Sequence, residues 1–144
     1  MKIVLDASVA LSWLMRRVDA DEAEMSRSAA QGVMGEGALV PSIFFTEVTN
    51  GLVVAERAGS LAADLAKRFL ADLDALPIET DRGAPDALQR AVFGLARATG
   101  LTAYDATYLE LALRSGSPLA TFDRQLAAAA PAAGVTLFSR TGPL

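Results

Sequence analysis

Apolar residues recur along this chain in two rhythms. Short apolar, partly β-branched runs predict strands: Ile3-Val4-Leu5 closed by Asp6, Leu39-Val40 closed by Pro41, Pro77-Ile78-Glu79, Leu119-Ala120-Thr121, and a last one over 135–138. Between them the spacing turns helical over 7–14, 20–33, 42–58, 61–76, 85–99 and 103–114, with a small alanine-rich helix near 126–133. Gly59, Gly100 and Gly116 stand where three of these helices should stop, and Ser60 where the fourth could be capped. Short strands alternating with helices imply βαβ units, a parallel sheet and helices on both faces. The expectation is one α/β domain over 1–144, a three-layer α/β/α sandwich, without repeats, linkers or low-complexity segments. Ligands in such sheets sit beyond the carboxyl ends of the strands, so the polar residues there carry the functional question.

Composition supports a folded domain. Of 144 residues, 52% are hydrophobic and 21% charged, which argues against disorder. The uncharged stretch 125–139 is broken by Pro131 and Gly134 and falls short of the roughly 20 apolar residues of a spanning helix. Asp6 interrupts the first apolar run too early for a signal peptide. A cytoplasmic protein without a membrane partner is expected.

The chain has no histidine and no cysteine. That excludes disulfides, thiolate zinc sites, cysteine nucleophiles, Ser-His-Asp triads and histidine general bases. Chemistry must rest on carboxylates, hydroxyls, Lys, Arg or Tyr. The net charge of −4 and the pI of about 4.8 are unusual for a nucleic-acid binder. Setting aside four of the 17 acids as metal ligands leaves 13, which balance the 13 Lys and Arg.

Those four are Asp6, Glu47, Asp105 and Asp123. Asp6 follows the first strand and Asp123 the fourth, which puts both at the same rim of the sheet; each could also be an N-cap. Glu47 has Ile43, Phe44, Gly51 and Val54 at helical spacing, so its carboxylate falls on an apolar face and needs a partner. An arginine is the ordinary partner, and Gly51 could allow close helix approach. Asp105 sits in a first turn, where Thr102-Ala103-Tyr104-Asp105 resembles a capping box, yet Leu109 and Ala112 place it above the buried stripe. Clustered carboxylates raise each other's pKa, and a divalent cation resolves that conflict. With no His or Cys, the cation would be hard and oxygen-loving, Mg²⁺ or Mn²⁺. Such ions orient water, lower its pKa and stabilise charge on a phosphoryl group.

At these residues the chain resembles a known family. VLDASVALSWL, PSIFFTEVTNGL, LTAYDATYLELA and LATFDRQL are similar in order and spacing to the four motifs of PIN-domain ribonucleases, in particular the compact VapC toxins of type II toxin–antitoxin modules. The likeness runs from Lys2 to about Phe138. It implies that Asp6, Glu47, Asp105 and Asp123 are the catalytic and metal-binding acids. It implies supporting roles for Thr121 and Ser8, which would hydrogen-bond ligands or water, and a looser one for Asn50. It also implies a five-stranded parallel sheet, a homodimer, an RNA substrate and a cognate antitoxin that blocks the site. Arg16, Arg17, Arg57, Arg97 and Arg124 are candidates for phosphate contacts. Trp13 and Tyr108 could stack on bases or pack in the core.

Other readings compete. A haloacid-dehalogenase-type phosphatase needs a second Asp where Ser8 stands, and both it and a receiver domain need a lysine late in the sheet. The lysines here are Lys2 and Lys67. A non-catalytic antitoxin-binding subunit acting in operon autorepression is the alternative from another class.

Overall fold

The computed structural model describes residues 1–139. Its elements follow the order β1 (Ile3–Leu5), α1 (Ala7–Ser12), α2 (Ala20–Glu36), β2 (Ala38–Val40), α3 (Ile43–Arg57), α4 (Ala63–Asp74), β3 (Ile78–Thr80), α5 (Pro85–Thr99), α6 (Ala103–Ser115), β4 (Leu119–Ala120) and α7 (Arg124–Ala132). The strands form one parallel sheet in the order β3-β2-β1-β4.

That order locates the site before any side chain is considered. The chain moves outward from β1 through β2 to β3, then returns to the far side of β1 as β4. Right-handed crossovers put the outward helices and the returning helices on opposite faces. The contacts agree: α1 packs with α2 and α3, while α6 packs with α5, α7, β1 and β4. The reversal falls between β1 and β4, where the connections diverge and leave a crevice at the strands' carboxyl ends. The Asp6 N–H donates to the Ala120 carbonyl at 3.0 Å, so the residue leaving β1 is fastened beside the end of β4.

The strands read as continuous apolar runs because they are covered on both faces: Val4, Leu5, Leu119 and Ala120 are fully buried. Phe44, Tyr108, Leu109, Leu111 and Leu126 fill the core around them. Gly100 and Gly116 end α5 and α6 in the left-handed conformation, as their placement predicts.

Three expectations need correction. The sheet has four strands among the described residues, not five. Segment 135–138 makes only an isolated parallel bridge, Leu119 with Leu137, supported by Leu119 N–H to Thr136 O and Phe138 N–H to Leu119 O. On this edge β4, two residues long, is joined only through Leu119, while both its residues pair with β1 on the other edge. Ser60 does not cap the fourth helix, which begins at Ala63 after Ala62. Its hydroxyl donates instead to Ala55 O at 3.0 Å and closes α3. Finally, α2 runs to Glu36 rather than 33, and α1 stops at Ser12 rather than 14.

A polar clasp that the spacing did not announce ties the return layer together. Arg114 of α6 reaches Glu110 at 2.8 Å one turn earlier and grips Asp81, just past β3, with two nitrogens at 3.1 and 2.7 Å. This bond holds the Asp81 carboxyl below its ordinary value.

No helix among the described residues is long and apolar enough to cross a membrane.

Candidate active site

Asp6, Glu47, Asp105 and Asp123 line one cleft, together with Ser8, Asn50, Arg17, Tyr104 and Phe122. Residues from both ends of the chain are gathered because β1 and β4 are neighbours and α3 and α6 begin beside their carboxyl ends.

Asp6 is the deepest of the four, 6% exposed. It stands at the N-cap position of α1, yet its side chain makes no capping bond. Instead Oδ2 accepts from the Ser8 hydroxyl at 2.6 Å and from the Thr121 hydroxyl at 2.7 Å. Those hydroxyls are oriented in turn. The Phe122 N–H donates to Ser8 Oγ at 3.0 Å, and the Asp123 N–H donates to Thr121 Oγ1 at 3.0 Å. Segment 121–123 is thus stitched to segment 6–8 from both sides, through the Ser8 and Thr121 hydroxyls.

Asp123 is an N-cap as well as a cleft residue: its Oδ1 accepts from Leu126 N–H at 2.9 Å. Asp105 sits in the first turn of α6, where its own N–H donates to Thr102 Oγ1 at 3.2 Å. Glu47 is half-buried on α3, and its partner is not an arginine. The Tyr108 hydroxyl donates to Glu47 Oε1 at 2.6 Å. Tyr108 is completely buried, so its reading as a base-stacking residue is overturned. Its other reading, core packing, is the one that holds, in keeping with its place four residues before Ala112 on the apolar face of α6. Its bond to Glu47 could not be foreseen. Gly51 lines the cleft, and a Cβ there would meet Leu11 Cδ1 at 2.5 Å, so the bare glycine allows α3 to approach α1.

The electrostatics are those of carboxylates gathered in a partly buried cleft. Burial raises the pKa of Asp6, against the two hydroxyls that lower it, and Asp123 raises it further. Glu47 is raised by burial and by Asp6 and Asp105, with Tyr108 opposing. Asp105 is raised by burial, Asp123 and Asp6. Among the described residues, however, no three acids converge closely enough to hold one ion as they stand. Asp123 is turned onto its cap and Glu47 onto Tyr108. The donor chemistry still suits a divalent cation: an all-oxygen set, negative, without His or Cys, and with raised carboxyls that a cation would reverse.

Two predictions arise here. The folded chain binds protons at Asp6, Glu47 and Asp105 more tightly than the unfolded chain, whose ordinary values are 3.8 for Asp and 4.5 for Glu. The metal-free protein therefore gains stability as the pH falls from neutrality through the raised values, and the gain is complete once the ordinary values are passed. Glu79 and Asp81, which are lowered, act in the opposite sense at the acid end. The melting temperature in EDTA should rise as the pH falls from neutrality toward the ordinary carboxylate range, with a shallower rise in Asp6→Asn. A melting temperature that climbs steadily from mild acid to neutrality would contradict the shared cause. Tyr108→Phe, which removes only the donor to Glu47, should cost about 1 kcal/mol in denaturant unfolding. No measurable loss would mean that water replaces the hydroxyl without penalty.

Of the five arginines expected near phosphate, Arg17 lines the cleft. Its guanidinium lies 4.3 Å above the Phe122 ring. Arg16 lines a neighbouring groove. Arg57, Arg97 and Arg124 are exposed, outside the residues lining the cleft, and Arg97 rests over Phe93. Trp13 packs partly against the core, its indole N–H donating to Ser26 O at 3.0 Å.

The comparisons with known proteins point the same way. Ribonuclease VapC3 of Pyrobaculum aerophilum is 35% identical over 136 residues, covering 92% of this chain and 97% of that protein. FitAcB from Neisseria gonorrhoeae superposes with a TM-score of 0.64 at 18% identity, over 96% of this chain and 97% of its own. A toxin–antitoxin complex from Klebsiella pneumoniae superposes with a TM-score of 0.56 at 17% identity, over 85% and 87%. At such identities the two structures speak for the fold alone. The sequence profile of the PIN domain matches residues 3–131, and with this fold and this acidic cleft the chain belongs to the PIN domain family.

Proposed function

We propose that this protein is a divalent-metal-dependent endoribonuclease, the toxin of a toxin–antitoxin pair, acting through Asp6, Glu47, Asp105 and Asp123. One observation carries the reading: four acids from four separate segments line one cleft at the β1/β4 switch point, and the deepest is braced by two hydroxyls. Likeness to a ribonuclease supports an enzyme over a purely non-catalytic subunit. The Klebsiella neighbour is a toxin–antitoxin complex, which supports an antitoxin as partner here; a homodimer and a cytoplasmic location go with the same reading.

Asp6, Glu47, Asp105 and Asp123 are the residues that would hold Mg²⁺ or Mn²⁺. Such an ion supplies Lewis-acid stabilisation of a phosphoryl group and a more acidic water. The chain's own contribution is orientation. Ser8 and Thr121 fix the Asp6 carboxylate, so that it need not reorganise as charge develops nearby. Tyr108 does the same for Glu47 from the core side. Asp105 and Asp123, each half-buried, complete the acidic lining. Asn50 is exposed on the α3 side of the cleft, where its amide can meet substrate. In the proposed hydrolysis a water oxygen bonds to phosphorus and gives up a proton, the P–O3′ bond breaks, and the departing 3′ oxygen takes up a proton in its place.

The test is incubation of purified protein with total cellular RNA, with Mn²⁺ and with EDTA. Discrete metal-dependent cuts with 5′-phosphate and 3′-hydroxyl ends are expected. Ends bearing 2′,3′-cyclic phosphate would reject the water route, since they require attack by the 2′-hydroxyl.

A further inference from the structure

A second groove adjoins the acidic cleft and shares Arg17 with it. It lies between the α1–α2 connection, which carries Arg16 and Arg17, and the face of α2 that presents Arg27. We propose that this groove holds the backbone phosphates of the RNA strand next to the scissile one. The proposal rests on the ribonuclease reading above and names the part of the molecule that grips the substrate.

Charge is the first argument. The chain as a whole carries −4, yet three of its 13 cationic side chains line this one groove and, among the described residues, no acidic one does. The second argument is which donors remain available. The floor is made of small residues, Ala23 and Ala30, and of polar groups already satisfied by one another. Ser12 and Ser26 share a hydrogen bond at 2.7 Å, and the Trp13 indole N–H is bonded to the Ser26 carbonyl. The polar groups left to meet an incoming ligand are therefore the guanidiniums, set beside the Trp13 ring and the two alanines. Arg16 and Arg27 are exposed. Arg17 is held from below by the Phe122 ring and is ion-paired through its Nε with Glu22 Oε2 at 3.1 Å, so Arg16 and Arg27 carry most of the groove's uncompensated charge. A guanidinium fork matches phosphate oxygens and keeps its charge at every working pH.

Continuity is the third argument. A phosphodiester lying among four acids is repelled by them except where a cation intervenes. The strand's grip must then come from outside the acidic wall, and the basic groove begins at the residue where that wall ends. A free strand running from cleft to groove passes from the chemistry onto Arg17, then Arg16 and Arg27.

The experiment measures binding of a fluorescein-labelled, random-sequence, single-stranded RNA 12-mer by anisotropy across a salt series. It uses the full chain with Mn²⁺ and the Asp105→Asn substitution to limit cleavage. Arg16→Gln with Arg27→Gln is compared with Arg57→Gln plus Arg90→Gln, which removes the same charge elsewhere. The groove pair should bind roughly tenfold more weakly, and its log–log salt slope should fall by about 1.4, since a single strand contributes about 0.7 per phosphate contact. The control pair should change neither by more than a small general-charge effect. Thermal melting of both pairs should match the parent, because all four side chains are exposed. If the groove pair binds and responds to salt like the control pair while unsubstituted protein cleaves RNA, the groove assignment is wrong and the ribonuclease reading stands. The same holds if the groove pair loses only an acidic protein partner. Unsubstituted protein that neither cleaves RNA nor binds the 12-mer overturns both.

Discussion

Asp6→Asn should abolish metal-dependent RNA cleavage, a fall of about three orders of magnitude or more, while leaving the metal-free protein as stable as the parent or more stable. The catalytic half follows from position. Asp6 is the most buried of the four acids and the one braced by two hydroxyls at 2.6 and 2.7 Å. A neutral amide there removes charge where the proposed reaction needs it most, and losing one preorganised electrostatic contact alone costs about 10²–10³ in rate. Ser8→Ala or Thr121→Ala, which disturb orientation but keep the carboxylate, should cost only about 10–100-fold. The stability half follows from the raised pKa: burial and Asp123 make the ionised carboxyl unfavourable, so the amide relieves a cost that the active protein carries. Addition of Mn²⁺ should raise the melting temperature of the parent, and that rise should vanish in Asp6→Asn. Retained cleavage would remove Asp6 from the chemistry. Lost cleavage with a collapsed melting temperature would instead make it a folding residue.

Phe44→Ala is expected to be the most damaging single truncation outside the cleft, at about 3–5 kcal/mol. Phe44 is fully buried on the inner face of α3, and its ring meets Phe45 edge-on at 5.1 Å. The lost ring leaves a cavity in a core that relaxes only partly. In a domain of this size the melting temperature should fall by roughly 10 °C. Phe45→Ala, at a position 39% exposed, should cost well under half as much and provides the internal control. Because Phe44 precedes Glu47 by one helical turn, its burial seats the helix that presents Glu47 to the cleft. Cleavage should therefore decline in Phe44→Ala well below its melting temperature. Equal losses for the two phenylalanines would show that α3 is not anchored through this ring.

Much of the fold is a local matter, and it was legible for that reason. Strand β1 is an apolar β-branched run ended by a charged residue, and α5 and α6 are ended by glycines in left-handed conformations. Such signals act within a few residues, so spacing alone places them. Boundaries set by alternatives of nearly equal energy were less legible: Ser60 could cap one helix or close the preceding one, and the latter bond forms. The final strand failed for a different reason. Its residues are suitable, but a strand exists only through its neighbour, and the pairing with β4 stops at the single bridge of Leu137 with Leu119.

The site divides along the same line. By itself the sequence determined that acids stand at the ends of β1 and β4 and in the opening turns of helices, and the absence of histidine and cysteine determined that a metal held by side chains would meet oxygen donors. Tertiary structure alone decided the rest. Tyr108 reaches Glu47 across 61 positions, Phe122 reaches Ser8 across 114, and Thr121 reaches Asp6 across 115. It also separated Arg16, Arg17 and Arg27, which share a groove, from arginines that look no different in sequence. Periodicity reports which face of an element is apolar; which elements those faces meet depends on strand order and crossover direction, and these are properties of the whole chain.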